Sequence, residues 1–226
     1  MNFLIIGGTG SIGSNISNNL KKIGHTVFLT TSKQDKVNIE KNIYYLNDTN
    51  LDILNKIGTL DGVVWAHGAN INDNIETTSE LSNLLDTNVI FIVKTLQYML
   101  NKKIIKNGGK LVIISSIWEK LSRDNKLSYS ISKSALSGLV KSVAYELSDR
   151  NILINNVCPG PIDNEMTRTT LKYEQLEYLK NYMKFGRLVT LDDVWNTVKF
   201  LLLDNTGITG QSILVDLGFC GIKKYN

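Results

Sequence analysis

Short apolar runs alternate with longer amphipathic stretches along the whole chain. Within each run consecutive positions are apolar, a pattern typical of strands buried on both faces of a parallel sheet. We predict seven strands, at 3–6, 27–29, 43–46, 63–65, 111–114, 152–154 and 213–215. Apolar residues at helical spacing predict a helix at 12–23 that ends at Gly24, and two long helices at about 79–100 and 129–148.

This alternation of strands and helices determines the fold class that we expect. Crossovers between parallel strands are right-handed and place helices on the faces of the sheet. We therefore predict an α/β fold with a doubly wound, seven-stranded parallel sheet and helices on both faces. The chain has 226 residues and contains no repeat, low-complexity tract or linker, so we expect residues 1–226 to form one domain.

Composition and charge argue against several classes of protein. No apolar run approaches the roughly 18 residues of a membrane span, and we expect no signal peptide. The net charge is +4, and the densest lysine pairs, 102–103 and 223–224, are too short for a nucleic-acid patch. Cys158, Cys220 and the two histidines match no zinc pattern. We expect a cytoplasmic protein with reduced thiols, without a metal, membrane or nucleic-acid partner.

A glycine-rich turn follows the first strand. Residues 7–13 read Gly-Gly-Thr-Gly-Ser-Ile-Gly, which places Gly7, Gly10 and Gly13 between a strand and a helix. Glycines there let the backbone turn sharply and approach a pyrophosphate at the N-terminus of the helix. The context predicts a dinucleotide-binding turn, and a turn of this kind without a ligand is the alternative.

The end of the second strand bears on the choice of dinucleotide. An acidic residue there binds the ribose 2′-hydroxyl of NAD and repels the 2′-phosphate of NADP. Residues 30–33 read Thr-Thr-Ser-Lys, and the first acid is Asp35. We predict that Ser32 and Lys33, with Thr31 beside them, bind this phosphate, which favours NADP over NAD. The alternative is that Lys33 is a solvated loop residue.

Three later residues predict a reaction. Tyr129 and Lys133 are four positions apart and share a helical face, and Ser116 ends the fifth strand. A phenol, a hydroxyl and an ammonium held together can donate a proton to a carbonyl oxygen while a hydride arrives at the carbon. Tyr98 and Lys102 have the same spacing without a serine thirteen residues earlier, and we interpret that pair as the end of a packing helix.

The order of these motifs resembles the short-chain dehydrogenase/reductases, in the compact branch that includes the ketoacyl carrier-protein reductases. The resemblance covers nearly the whole chain, and it includes residues 159–160 after the sixth strand, Gly186-Arg187 and residues 209–211. The resemblance implies a Rossmann-like fold, a nicotinamide cofactor, and hydride transfer between that cofactor and a carbonyl or secondary alcohol. It places the following residues at the cofactor: Gly7, Thr9, Gly10, Ser11, Ile12, Gly13, Asp48, Ala66, His67, Gly68, Tyr129, Lys133, Pro159, Gly160 and Ile162.

The same resemblance implies four catalytic residues, Asn88, Ser116, Tyr129 and Lys133. Tyr129 is expected to act as general acid or base, Ser116 to orient the carbonyl oxygen, Lys133 to bind ribose hydroxyls, and Asn88 to hold a water that links Lys133 to solvent. We expect Lys133 and the oxidised nicotinamide to lower the pKa of Tyr129 from about 10.

Five residues depart from the family pattern, namely Ile6, Ser11, His67, Asn164 and Leu217. The spacing of Gly7, Gly10 and Gly13 is closer to that of the extended branch of the family, so a sugar-nucleotide epimerase or dehydratase is one alternative. The length of the chain argues against this alternative. A non-catalytic NADP-binding redox sensor is another, although such a protein would be expected to lose the tyrosine or the lysine.

The segment 164–185 is predicted to form a helical lid over the substrate. Its apolar residues either line a substrate pocket or pack the lid against the rest of the protein: Met166, Leu171, Leu176, Leu179 and Met183. Trp118 either contacts substrate or belongs to the core. We interpret His67 and Cys158 as structural residues.

The family resemblance also implies a homotetramer or homodimer built on the two long helices. These helices carry more apolar residues than contact with one face of the sheet requires, which favours a subunit interface. The alternative is that packing in the chain's own core accounts for them. The residues are Val89, Ile92, Val93, Leu96, Leu136, Leu139, Val140 and Val143.

Overall fold

The computed structural model describes residues 1–164, 167 and 173–221. The strands in chain order are β1 Asn2–Ile6, β2 Thr26–Thr31, β3 Ile43–Tyr45, β4 Leu60–Trp65, β5 Ile105–Ile114, β6 Leu153–Pro159 and β7 Ser212–Val215. All pairings are parallel, and the spatial order is β3-β2-β1-β4-β5-β6-β7. The predicted doubly wound parallel sheet is confirmed, with the strand order reversing between β1 and β4.

Helices connect the strands. They are α1 Ser11–Lys22, α2 Leu81–Leu85, a π-helical turn Asp86–Ile90, α3 Phe91–Asn101, α4 Leu127–Glu146, α5 Tyr173–Tyr182, α6 Leu191–Lys199 and a second π-helical turn Phe200–Asp204. Short 3₁₀ turns lie at Gln34–Lys36, Ile39–Lys41, Leu51–Lys56, Ile117–Glu119 and Ser148–Arg150. The helix predicted at 79–100 has the right position, but a π-helical turn interrupts it. No helix in the described ranges has the length and apolar character needed to cross a membrane.

Two apolar cores lie on opposite faces of the sheet. Successive residues of β1 point to opposite faces, so Leu4 belongs to one core and Ile5 to the other. One core holds residues of α3 and α4, and the other holds residues of α1 and α6. Burial on both faces explains why the strands read as continuous apolar runs.

The sixth strand is longer than the sequence predicts. The predicted strand at 152–154 stops before Asn155 and Asn156, yet both are buried within β6. Asn155 donates from Nδ2 to the carbonyl of Ile208 at 2.7 Å and accepts from the backbone N–H of Gln211 at 3.0 Å. Buried amides are tolerated in the strand because their hydrogen bonds are made by distant segments.

The fifth strand also begins earlier than predicted. The strand predicted at 111–114 starts at Ile105, so Gly108 and Gly109 lie within it. The register with β4 shifts between Leu60 and Gly62, and Gly108 has a φ of 79°. A positive φ at a strand irregularity is the reason that glycine occurs there.

Candidate active site

A cavity of about 880 Å³ opens at the carboxyl ends of β1, β2, β4 and β5. Parallel sheets bind ligands at this edge, next to the point where strand order reverses. Many of the residues predicted at the cofactor line it: Gly7, Thr9, Gly10, Ser11, Ile12, Thr31, Ser32, Lys33, Asp48, Ala66, His67, Gly68, Tyr129 and Lys133. The predicted residues outside its described lining are Gly13, Asn88, Ser116, Pro159, Gly160 and Ile162.

Two glycines of the turn are required by close approach of the backbone. Gly7 has a φ of 80°, and a Cβ there would lie 2.7 Å from the backbone nitrogen of His67. A Cβ at Gly13 would lie 2.4 Å from the carbonyl oxygen of Gly7. Gly10 is less constrained, since its Cβ would have ordinary contacts at 3.5 Å. Gly13 therefore sits beneath the turn and lets α1 pack against the end of β1.

The start of α1 suits a phosphate. The first amide groups of an α-helix have no carbonyl partner within the helix and carry partial positive charge. Gly10 caps the helix without a side-chain hydrogen bond, and the first turn contains no acidic residue. Gly10, Ser11 and Ile12 line the cavity. These residues fit the pyrophosphate of a dinucleotide.

Exposed polar groups surround the end of β2. Thr9 and Thr31 are joined by a hydroxyl hydrogen bond of 3.0 Å, and the backbone N–H of Lys33 donates to the Thr31 hydroxyl at 3.1 Å. Ser32 and Lys33 are exposed at the cavity, as is Lys36, which the sequence analysis missed. The 3₁₀ turn Gln34–Lys36 brings Lys36 to the same wall as Lys33. The lining in this region includes no carboxylate before Asp48.

Asp48 lies at the far end of the cavity. Its carboxylate forms an exposed ion pair with Lys94 of α3 at 3.4 Å, and both residues line the cavity. Lys94 was not predicted, because only the fold brings α3 beside the segment that follows β3.

Tyr129, Lys133 and Ser116 come together at the end of β5. The Tyr129 phenol and the Ser116 hydroxyl share a hydrogen bond. The Lys133 Nζ lies 5.7 Å from the centroid of the Tyr129 ring and donates to the carbonyl of Ile114 at 3.1 Å. The neighbouring Ser115 donates to Glu119 instead, at 2.8 Å. The predicted trio is thus one contiguous group, with Tyr129 and Lys133 facing the cavity.

The electrostatics of the trio differ from the expectation. Burial raises the pKa of Tyr129, and the hydrogen bond with Ser116 only partly opposes this shift. The expected lowering is wrong for the chain's own residues, because loss of hydration penalises the phenolate more than its neighbours stabilise it. Burial also lowers the pKa of Lys133 to about 8, against the opposing influence of Cys158 and Glu119. Near neutral pH the phenol is therefore protonated and Lys133 is mostly charged.

Asn88 is buried in the π-helical turn Asp86–Ile90. Its amide donates to the carbonyl of Ala69 at 3.0 Å and to the Ser132 hydroxyl at 2.9 Å, and its carbonyl accepts from the Ala69 N–H at 2.8 Å. A Cβ on Gly68 would lie 3.3 Å from Asn88 Oδ1 and 3.5 Å from Lys133 Nζ. Asn88 thus fixes the loop after β4 against α4, close to Lys133.

His67 is held between the same elements. Its Nε2 lies 3.1 Å from the carbonyl oxygen of Thr87, and its ring meets Phe91 edge-on at 5.2 Å between centroids. Burial, followed by the charge of Lys133, lowers the pKa of His67 to about 4. Nδ1 is buried without a hydrogen-bond partner in the described structure. His67 is therefore neutral near pH 7, and its ring contacts the π-helical turn and α3.

A buried carboxylate lies behind the trio, and no sequence pattern predicted it. Glu119 is 7% exposed, and its Oε2 accepts from Ser115 at 2.8 Å, Asn156 at 3.0 Å and the Cys158 thiol at 3.4 Å. Cys158 is a buried free thiol, and burial with the Glu119 charge raises its pKa. Lys120 pairs with the other oxygen of Glu119 at 3.4 Å. The carboxylate ties the turn that carries Ser116 to the ends of β5 and β6.

The loop after β6 lies beside this edge. Gly160 donates to the carbonyl of Val215 at 3.0 Å, and Ile162 forms a bridge with Val189. Asn164 lines the cavity, and its amide lies 3.3 Å from the Ser11 hydroxyl. Two of the residues that depart from the family pattern therefore contact each other across the cavity.

The predicted lid is described only in part. A helix, α5, lies within 164–185, Met183 is buried and Leu179 is half-buried. Met166 and Leu171 lie outside the described residues, as does the side chain of Leu176.

Trp118 is half-buried outside the described lining of the cavity. Its ring faces the guanidinium of Arg123 at 5.5 Å.

The second Tyr-x-x-x-Lys pair takes part in packing. The Tyr98 hydroxyl accepts from Asn55 at 2.8 Å, and the Lys102 ammonium lies 6.0 Å from the Tyr98 ring centroid. Neither residue lines the cavity as described. Among the described residues, no three His, Cys, Asp or Glu side chains are placed to hold a metal ion.

Comparison with known proteins identifies the family. The family model described as enoyl-(acyl carrier protein) reductase matches residues 7–220. The short-chain dehydrogenase/reductase of Serratia marcescens has a solved structure that is 26% identical, with a TM-score of 0.84 over 96% of this chain and 97% of that chain. The chain belongs to the short-chain dehydrogenase/reductase family.

Two further proteins are similar to the chain over almost their whole length. The 3-oxoacyl-(acyl-carrier-protein) reductase FabG of Rickettsia felis is 30% identical over an alignment that covers 95% of each chain. ElxO with NADP bound is 28% identical, with a TM-score of 0.85 over 96% of this chain and 98% of that chain.

The pKa of His67 makes the stability of this short-chain dehydrogenase/reductase pH-dependent. Between its ordinary value of 6.5 and its folded value of about 4, the unfolded chain binds a proton that the folded chain does not. We expect the free energy of unfolding to fall by up to about 2 kcal/mol as the pH falls from about 6.5 to about 5. Urea unfolding at both pH values measures this loss.

Two histidine variants identify the group that is responsible for the pH dependence of stability. His67→Asn is expected to lose most of the pH dependence, whereas His25→Asn retains most of it, because the pKa of His25 is lowered less than that of His67. Equal pH dependence in His67→Asn and the parent protein would show that another group is responsible.

Proposed function

We propose that the protein is an NADP(H)-dependent reductase or dehydrogenase that transfers a hydride between the nicotinamide and a carbonyl or secondary alcohol substrate. One observation carries the proposal. Tyr129, Ser116 and Lys133 meet at the end of β5, and the cavity that Tyr129 and Lys133 line continues to the glycine turn. Membership of an oxidoreductase family supports it.

Tyr129 is the proposed general acid for carbonyl reduction. Burial raises its pKa, so the phenol carries the proton that the carbonyl oxygen needs at neutral pH. The Ser116 hydroxyl, hydrogen-bonded to Tyr129, orients the carbonyl oxygen and stabilises its developing negative charge. In the oxidation of an alcohol the same phenol acts as the base, which requires the phenolate.

Lys133 supports the proton transfer. With a pKa of about 8, its ammonium is mostly charged near pH 7 and stabilises the phenolate that forms when Tyr129 gives up its proton. Asn88 and Gly68 fix the loop beside its Nζ. We propose that Lys133 also binds ribose hydroxyls and that Asn88 holds a relay water.

The residues around β2 favour NADP over NAD. Ser32, Lys33 and Lys36 are exposed on one wall of the cavity, where a 2′-phosphate needs cationic partners. The structure of ElxO with NADP bound supports this choice. The dinucleotide, when bound, supplies the hydride. Gly7, Gly13 and the start of α1 are the proposed pyrophosphate site.

We also propose a homotetramer or homodimer that uses α3 and α4. Five of the apolar positions on these helices are buried in the chain's own core: Ile92, Leu96, Leu136, Val140 and Val143. Others are exposed, including Val93 at 39% and Ile131 at 41%, and Tyr145 is 84% exposed at the end of α4. These exposed residues support contact with a second copy of the chain.

Substitution of Tyr129 by Phe removes the proposed proton donor without changing the ring. We expect Tyr129→Phe to fold, to bind NADPH as the parent protein does, and to lose at least roughly 10²-fold in kcat for carbonyl reduction. Tyr98→Phe is the matched control, because it alters the other Tyr-x-x-x-Lys pair, and it should keep the parent rate. Full turnover by Tyr129→Phe would show that another acid acts.

Nicotinamide fluorescence titration tests the cofactor choice. We expect tighter binding of NADPH than of NADH, and Lys33→Ala should weaken NADPH binding by roughly tenfold because a charged hydrogen bond is lost. NADH binding should not change. Lys56→Ala, an exposed lysine outside the described lining, is the control. Preference for NADH in the parent protein would contradict the NADP assignment, and binding of neither would contradict the whole proposal.

The mass of the protein in solution tests the oligomer. Sedimentation at several concentrations should give a multiple of the 25.3 kDa chain mass. A monomer mass at every concentration would contradict this proposal.

A further inference from the structure

A second buried lysine lies beside the Tyr129 ring. Lys126 is the N-cap residue of α4, and it is 4% exposed. Its Nζ lies 5.5 Å from the centroid of the Tyr129 ring, while the Nζ of Lys133 lies 5.7 Å from the same point. Two ammonium groups therefore lie near one phenol.

Neutral oxygens hold the Lys126 ammonium. It donates to Asn70 Oδ1 and Asn72 Oδ1, each at 2.7 Å, and more weakly to the carbonyl of Ile71 at 3.4 Å. The described residues offer it no carboxylate as an ion-pair partner. Asn70 also lines the cavity. Lys126 thus connects a wall of the cavity to the proposed proton donor.

We propose that Lys126 is a positioning residue for the reaction of Tyr129, an inference that rests on the proposed function. Its ammonium holds the 70–72 loop against the start of α4 and favours the phenolate that forms when Tyr129 gives up its proton. A cation near an aromatic ring is attracted to it, and more strongly when the ring carries negative charge.

Charged groups from several elements act on this arrangement. Burial and then the charge of Arg123 lower the pKa of Lys126, and Asp73 opposes them. The titratable groups around Lys126, Tyr129 and Lys133 come from the loop after β4, the segment after β5, and β6: His67, Asp73, Glu119, Arg123 and Cys158.

A separate set of contacts attaches the same loop to α4. The Asp73 carboxylate accepts from the Ser128 N–H at 3.1 Å, from the Ser128 hydroxyl, and from the Thr78 hydroxyl at 2.6 Å. The backbone N–H of Leu127 donates to the Asp73 carbonyl at 3.2 Å. Thr78→Val removes a hydroxyl that bonds both Asp73 and Ser128 and changes no charge near Lys126, so it is a matched control for a purely structural role.

The ionisation of Tyr129 tests the inference without substrate. Ultraviolet absorbance of tyrosinate is measured against pH, and the same variant carrying Tyr129→Phe is subtracted. In Lys126→Gln, which keeps a hydrogen-bond donor and loses the charge, we expect Tyr129 to ionise at higher pH, with a roughly tenfold smaller ionised fraction at a given pH. Lys126→Arg should restore the parent curve, and Thr78→Val should keep it.

Two outcomes would overturn the inference. One is a Tyr129 that ionises at the same pH in Lys126→Gln as in the parent protein, or that ionises in both only on unfolding. The other is an equal displacement in Lys126→Gln and Thr78→Val without rescue by Lys126→Arg, which would show a structural role alone. Retained turnover in Tyr129→Phe contradicts the proposed function instead, and that measurement does not depend on Lys126.

Discussion

The burial of the Lys133 ammonium is the constraint on which the rest of the site depends. A charged group inside a protein is costly unless hydrogen bonds and nearby charges compensate for lost hydration. Here the carbonyl of Ile114 accepts its hydrogen bond and the carboxylate of Glu119 favours its charge. Gly68 lies directly beside the ammonium, since a Cβ there would be 3.5 Å from the Nζ and 3.3 Å from Asn88 Oδ1. The end of β5, the helix α4 and the loop after β4 therefore meet at this one group.

Glu119, whose carboxylate favours the charge of Lys133, also connects the elements at this edge of the sheet. Its buried carboxylate accepts hydrogen bonds from Ser115, Asn156 and Cys158, so the 3₁₀ turn after β5 is fixed to β6 as well as to its own strand. With Ser115 bound to Glu119, Ser116 is the serine left to meet Tyr129. The choice between two adjacent serines is thus made by a carboxylate on the far side of the turn.

The sheet, the glycine turn and the trio of Ser116, Tyr129 and Lys133 are readable from the sequence, because each depends on a local pattern of apolar runs, small residues or helical spacing. Other features depend on partners that are distant in the chain. Asn155 and Asn156 are tolerated inside β6 because segments near β7 and Glu119, respectively, supply hydrogen-bond partners for their amides. The pKa of Tyr129 likewise depends on the depth of its burial, and the position of Lys126 depends on a loop more than fifty residues earlier.

The π-helical turn Asp86–Ile90 has a consequence for how the chain tolerates changes in length. A π-helical turn is equivalent to an α-helix that has received one extra residue. Deletion of a single residue from this turn would allow one continuous α-helix and would leave α3 in its present phase, because the π-helical turn already absorbs the extra residue. The change would fall on Asn88, which lies in the turn and bonds the loop after β4, and not on the apolar face of α3. A gain of helical regularity at this point would therefore disturb the site while it spares the packing of the helix against the sheet.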